Sequence, residues 1–264
     1  MNPLKVVRAG VVPYRAAYAW QKELHRRRLE GAIPDVLLLL EHPHVYTLGR
    51  RFDEGHLLLS KEALEERGIE VFEADRGGSI TYHGPGQLVG YPILDLRRPA
   101  DPPGTQPDAI VYLRRLEEAI IRAVRSFGMA AARREGLTGV WMGERKLAAI
   151  GVNVSRGASK HGFALNVTTD LSYFEGMVPC GMPDARPTSM EEVLVRAPSM
   201  ESVTKALVAQ IARIFHRVPI DGTLADFGLE ATSEKAVAPT DTAEVVELKQ
   251  PKDAAEPVQD AAGE

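Results

Sequence analysis

The chain has 264 residues, 44% hydrophobic and 26% charged, a balance that suits a globular protein with one substantial core. Its longest apolar run, Val36 to Leu40, falls far short of the ~18 residues of a membrane span, and Lys5 and Arg8 interrupt the N-terminus too early for a secretory signal, so a cytoplasmic protein that does not engage membranes is expected. The net charge is -4, but Ala231 to Glu264 carry eight acidic and three basic residues, leaving about +1 on residues 1–230, which argues against a nucleic-acid binder with a strong basic field.

In chain order, Ala17, Trp20 and Leu24 share one face of a helix that stops near Gly31. Val36 to Leu40 follows as a buried strand. Ser60 to Gly68 has a cap residue at its start and glycine at its end. Leu113, Leu116, Ile120, Val124 and Phe127 step by three or four through a helix over Asp108 to Phe127, closed by Gly128. A β-rich stretch comes next: Gly139 to Met142, a turn at Gly143 to Arg145, Lys146 to Val154, a turn through Gly157, and His161 to Val167. Ser189 with Glu192 has the spacing of a capping box, and Val203, Leu207, Ile211 and Ile214 mark a last amphipathic helix. The mixture predicts an α+β fold, helices on a mixed β-sheet, over residues 1–230. Residues 231–264 contain no aromatic residue and are expected to be an acidic disordered tail.

Three segments are candidates for chemistry. Arg76 to Gln87, R-G-G-S-I-T-Y-H-G-P-G-Q, holds four glycines, which let backbone approach a ligand closely. The same residues also suit two tight turns around a strand at Ser79 to Tyr82, and no Gly-Lys-Ser/Thr follows to make a phosphate loop. In the second segment, Lys146 opens a strand, where it suits a solvated strand end, but Ala148, Ala149 and Gly151, with Gly162 and Ala164 on the next strand, could form a small-residue wall beside it with room for a ligand. In the third, the single cysteine, Cys180, lies between Pro179 and Gly181. A lone cysteine is commonly an inert buried thiol, but this turn setting suits an exposed one near backbone N–H groups able to hold an oxyanion. A lone cysteine forms no intramolecular disulfide or multi-cysteine zinc site. His42 and His44 lack a further ligand at metal spacing, and no metal is expected. His83 and His161 each remain candidates for a Cys–His pair. Arg50, Arg51, Arg97, Arg98, Arg133, Arg134 and Arg145 lie near loops and could form a local basic rim.

From Leu37 to Pro187 the sequence resembles the octanoyltransferase family, also called lipoate-protein ligase B. The resemblance rests on E-H-P-H-V-Y-T-L-G-R at Glu41 to Arg50, the R-G-G-x-x-T-Y-H-G-P-G-Q element, G-V-W followed by K-L-A-A-I-G, H-G-F-A-L-N at His161 to Asn166, and P-C-G. It implies the catalytic fold of biotin and lipoate protein ligases, and transfer of octanoyl, or lipoyl, from acyl carrier protein to a lysine of lipoyl domains in protein lipoylation. The acceptors it implies are the 2-oxoacid dehydrogenases and the glycine cleavage H protein. It puts an acyl-thioester nucleophile at Cys180 and its partner at Lys146, with no cofactor. Substrate binding falls on Arg76, Gly77, Gly78, Ser79, Ile80, Thr81, Tyr82, His83, Ala149, Ile150, Gly151, Gly162, Phe163 and Ala164. The acidic tail is not part of the family pattern. An ATP-dependent lipoate ligase, a thiol hydrolase using His83 or His161, and a non-catalytic acyl-binding module are the alternatives.

Overall fold

The computed structural model describes residues 2–97, 107–178, 186–194 and 196–230; Cys180, Arg98 and the segment 231–264 lie outside them. A strand β1 (Asn2–Val11) leads into helix α1 (Tyr14–Leu29) and returns as β2 (Asp35–Glu41), a crossover that leaves β1 and β2 parallel. Every residue of β2 but the last is buried, as expected of a central strand covered on both faces. β3 (Val45–Leu48), the short helix α2 (Lys61–Glu66), β4 (Glu70–Glu73) and β5 (Ile80–His83) build a three-stranded sheet in the order β4-β3-β5. β6 (Gln87–Ile93) then re-enters the main sheet antiparallel to β2.

Helix α3 (Ala109–Arg125) is capped by Asp108, whose carboxylate accepts from the N–H groups of Ile110 and Val111. The meander β7 (Ala132–Arg134), β8 (Leu137–Met142), β9 (Arg145–Ser155) and β10 (Ala158–Asn166) follows. After a short turn of helix, α4 (Met190–Val193), come α5 (Met200–Ile214) and the edge strand β11 (Arg217–Gly222). The eight strands of the main sheet run β11-β1-β2-β6-β10-β9-β8-β7, parallel at the β11, β1, β2 end and antiparallel beyond it. This is the expected α+β mixed sheet. No helix among the described residues is long and apolar enough to cross a membrane.

The two faces carry separate cores. On one, Ala17, Trp20 and Leu24 of α1 pack on Val36, Leu38 and Leu40. On the other, Leu116, Ile120 and Val124 of α3 join Val203, Leu207 and Ile211 of α5 over Leu37, Leu39 and Leu165. Leu113, in step with the α3 core positions, is only half-buried and lines a cavity instead. The expected capping box is half formed: Ser189 Oγ accepts from the Glu192 N–H at 3.1 Å. The Glu192 carboxylate does not return to Ser189; it takes the Thr188 hydroxyl at 2.5 Å and Arg145 at 3.0 Å.

Candidate active site

A cavity of about 320 Å³ opens where β9 and β10 of the main sheet meet β5 and the loop before it, with the first turn of α3 at its side. Its walls include Gly77, Gly78, Ile80, Thr81 and His83; Lys146, Ala149, Ile150 and Gly151; and Gly162, Phe163 and Ala164. Chain folding has thus gathered the glycine-rich element, the lysine and the small-residue strands around one space. The β9–β10 register pairs Ala149 with Ala164 and Gly151 with Gly162, and strand alternation puts these four on one face.

The glycines serve a different purpose from the one read in the sequence. A Cβ on Gly151 would lie 3.0 Å from the Gly77 carbonyl oxygen, and one on Gly162 would lie 2.1 Å from that of Gly90. Both sites are close backbone approaches, so the space the missing side chains leave is taken by protein. With Gly77 N–H donating to the Val152 carbonyl at 3.1 Å, the glycine-rich loop is stitched onto β9.

The expected binding residues divide in two. Arg76, buried at 7% exposure, donates through Nε to Thr47 Oγ1 at 3.1 Å, through Nη2 to the Thr47 carbonyl, and through Nη1 to the Gly77 carbonyl at 3.1 Å. It bolts the loop to β3 while its edge lines the cavity. Ser79 and Tyr82 do not line the cavity. Ser79 Oγ is 2.8 Å from His56 Nδ1, and the Tyr82 hydroxyl is 2.7 Å from His44 Nδ1, with its ring stacked 5.1 Å from that of Tyr173. Tyr82 packs in the core of the small sheet.

Lys146 sits at the start of β9, half-buried, its ammonium 4.7 Å from the centroid of the Trp141 ring. Gly139, at φ +122°, leaves room for the stem, since a Cβ there would meet Lys146 Cε at 3.6 Å and the Ala148 carbonyl oxygen at 2.6 Å. The Lys146 backbone is held on its open side: its N–H donates to the Arg186 carbonyl at 2.8 Å and its carbonyl accepts from Thr188 N–H at 2.9 Å. Met177 and Pro187 both line the cavity.

A hydrogen-bond chain ties this segment to the glycine-rich element. His83 Nδ1 lies 2.7 Å from Gln87 Oε1; Gln87 Nε2 donates to Asn166 Oδ1 at 2.9 Å; Asn166 Nδ2 donates to the Thr188 carbonyl at 2.9 Å. An amide oxygen only accepts, so His83 carries its proton on Nδ1 and keeps Nε2 as an acceptor. Burial above all holds the His83 ring neutral, well below the usual imidazole range.

His161, at φ +56° and 1% exposure, places Nε2 2.7 Å from Asp75 Oδ1. Its Nδ1 has no partner, and the residue lines the cavity. Burial lowers its pKa against the pull of Asp75. Burial would raise the Asp75 carboxyl, but hydrogen bonds from His161 and Lys160 outweigh it and keep the group ionised. The Cys–His pairing open to either ring falls on Cys180, outside the described residues. His42 spends both ring nitrogens inside the fold, on the Val12 carbonyl at 2.6 Å and the Tyr91 hydroxyl at 2.7 Å. No group of three or more metal-ligating side chains occurs among the described residues.

Several cavity residues escaped the sequence reading. Gln87 and Asn166 end motifs already singled out, and their amides were the available signal. Tyr14, Tyr91 and Thr138 arrive from distant elements and had no local pattern to mark them.

The basic rim is mostly spent on ion pairs. Arg97 pairs with Asp95, Arg133 with Glu117 and Glu118, Arg134 with Glu144, and Arg145 with Glu192. Arg50 and Arg51 remain exposed, Arg51 at the cavity.

The description "Lipoyl protein ligase A/B catalytic domain" belongs to the family model that matches residues 13–212. An octanoyltransferase of Solibacter usitatus is 51% identical over 78% of this chain and 90% of its own length. That of Acidobacterium capsulatum is 46% identical over 81% and 92%. Among solved structures, lipoate-protein ligase A bound with ATP superposes with a TM-score of 0.70 at 18% identity, covering 84% of this chain and 88% of that one. The bi-partite lipoate protein ligase from Thermoplasma acidophilum gives 0.69 at 18% over 84% and 88%. At these identities the structural likeness is one of fold. The sequence relatives are much nearer and span nearly their whole lengths, and the chain belongs with them to the octanoyltransferases of the lipoyl protein ligase A/B family.

Proposed function

We propose that this octanoyltransferase works through a thioester on Cys180, taking octanoyl from acyl carrier protein and passing it to a lysine of a lipoyl domain, with Lys146 as the proton partner in both halves. The carrying observation is that the chain on either side of Cys180 is anchored at the cavity that holds Lys146. Met177 and Pro187 line it, and the 186–188 segment is hydrogen-bonded to the Lys146 backbone. Val178 is pinned by its N–H to the His56 carbonyl at 2.8 Å.

In the first half, the Cys180 thiolate attacks the donor carbonyl, a C–S bond to the enzyme forms, and the carrier's C–S bond breaks. The leaving thiolate takes the proton of the Lys146 ammonium. One thioester replaces another, so no ATP is consumed. In the second half, the acceptor amine attacks the acyl-enzyme, its proton passes to neutral Lys146, and the Cys180 thiolate leaves as the amide forms. The cavity supplies apolar surface for the acyl chain. Each methylene buried there contributes ~0.8 kcal/mol, so one carbon fewer is penalised only several-fold.

The rival on the same fold activates a free acid with ATP and needs no cysteine; the nearer relatives are named octanoyltransferases, which favours the thioester route. Intact-mass analysis decides between them. Enzyme mixed with octanoyl carrier protein should gain one octanoyl mass, removable by hydroxylamine, and Cys180→Ala should gain none. Release of AMP from octanoate and ATP, with no acyl-enzyme, would overturn the proposal.

A further inference from the structure

Beside the cavity, α3 and the end of α5 enclose a surface groove of about 530 Å³ lined by Ile110, Val111, Ile214 and His216, by five arginines and by Glu118. Five arginines face Glu118 on its rim and the buried Glu117 below it, a net of three positive charges on one face of a protein whose first 230 residues total about +1. Glu117 engages Arg114 and Arg133, and Glu118 engages Arg122 and Arg133. Arg115 and Arg213 are exposed and have no ion pair among the described residues. Two apolar side chains stand out in the same place, Ile110 at 62% and Val111 at 48% exposure. Unpaired guanidinium groups around exposed aliphatic side chains are what an acidic, amphipathic protein surface complements.

Ile110 lines both the groove and the cavity, so the basic stripe starts at the cavity and runs outward. From Ile110 to Arg122 it extends ~18 Å at the helical rise of 1.5 Å per residue. An acceptor has to bring its own lysine side chain into the cavity and must therefore sit at the mouth. A partner bound along a stripe of that length delivers its reacting group only on a long pendant arm.

On the reading of the reaction given above, we infer that this α3–α5 groove is the docking surface for the acyl donor. It holds an acidic helix of the carrier protein, with Arg115 and Arg213 as ionic contacts and Ile110 and Val111 as the apolar contact, while the thioester arm passes Ile110 into the cavity.

The test uses the full chain with Arg115→Glu, Arg213→Glu and the double variant, each assayed with octanoyl carrier protein, with octanoyl-pantetheine and with the acceptor domain varied. The KM for the carrier protein should rise about ten-fold or more in the double variant, with kcat nearly unchanged and the salt dependence of kcat/KM reduced. Acylation by octanoyl-pantetheine, which brings the arm without the protein, and the KM for the acceptor should stay within about two-fold. An unchanged KM for the carrier protein would overturn the assignment, as would a rise in the acceptor's KM alone, which would give the groove to the acceptor. Failure of the proposed reaction is separate: wild-type enzyme would then form no octanoyl-enzyme from either donor.

Discussion

Lys146 has its ammonium over an aromatic face and its backbone clamped between β8 and the 186–188 segment, so its side chain is steered while its charge stays at the cavity. Lys146→Met should slow acylation and transfer, the latter by roughly 10²–10⁴, and raised pH should restore part of acylation by ionising the thiol unaided. Lys146→Arg keeps the charge but cannot act as a base, so it should acylate better than it transfers. Rapid-quench measurement of the two half-reactions checks both, and normal rates for Lys146→Met would move suspicion to His83, which keeps Nε2 as an acceptor, or His161, whose Nδ1 is unpartnered among the described residues. A second expectation comes from the buried histidines. Burial pushes His42 down to about 4 from 6.5, and His83 moves the same way. The folded ring stays neutral where the unfolded chain's ring binds a proton, so stability is fully present above pH 6.5 and falls as pH drops toward about 4. For His42 alone the whole window is worth about 3 kcal/mol. Denaturation midpoints should fall from about pH 7.5 to about pH 5, less steeply in His42→Gln; pH-independent midpoints would contradict this.

Helix and strand ends are joined by a buried carboxylate. Asp35, fully enclosed at the start of β2, accepts from Arg28 Nε at 2.7 Å, from Arg217 Nε at 2.6 Å and from the Asp95 N–H at 2.9 Å. One side chain thus ties the end of α1, the start of β11 and the exit of β6 to the centre of the main sheet. Removing it leaves two mostly buried guanidinium groups under-compensated among the described residues, Arg28 with only Asp95 at 3.3 Å and Arg217 with the Phe215 and Asp95 carbonyls; full loss of a buried partner typically costs about 3–5 kcal/mol, and these remaining contacts put the cost at the lower end. Asp35→Ala should therefore lower the urea midpoint markedly without changing the rate per folded molecule. Asp35→Asn, which keeps an acceptor, should fall between. An Asp35→Ala protein as stable as wild type would show that the hub is not needed.

For the whole molecule, the last described elements are tied into the fold ahead of the acidic segment. β11 completes the sheet edge, Phe227 is buried at 5% exposure beside α1, and Gly228 at φ +62° ends the last turn. A chain ending at Glu230 should keep its melting temperature within a few degrees and transfer octanoyl at close to the full-length rate. A large loss of either would give residues 231–264 a role in folding or turnover.

Local patterning was enough to read the long helices. The spacing of Ala17, Trp20 and Leu24, of Leu116, Ile120 and Val124, and of Val203, Leu207 and Ile211 gives each helix one apolar face, and each packs that face against the sheet. The turns at Gly143 and Gly157 likewise marked the meander, because a left-handed backbone there favours glycine. The motifs also marked most of the cavity wall. The strands β1, β6 and β11 were not legible, since Lys5 and Arg8, Gly90 and Pro92, and Pro219 and Asp221 break the usual strand pattern. They become strands because neighbours supply hydrogen-bond partners and Asp226 and Asp221 supply counter-charges. Tertiary structure alone decided which motif residues face the cavity. Ser79 and Tyr82 turn away, Gly151 and Gly162 make room for backbone, and Tyr14, Tyr91 and Thr138 arrive from elsewhere. Composition names the groups available for chemistry, but the direction of a side chain depends on strand pairing and on what packs opposite it, and both are set by residues far away in the chain.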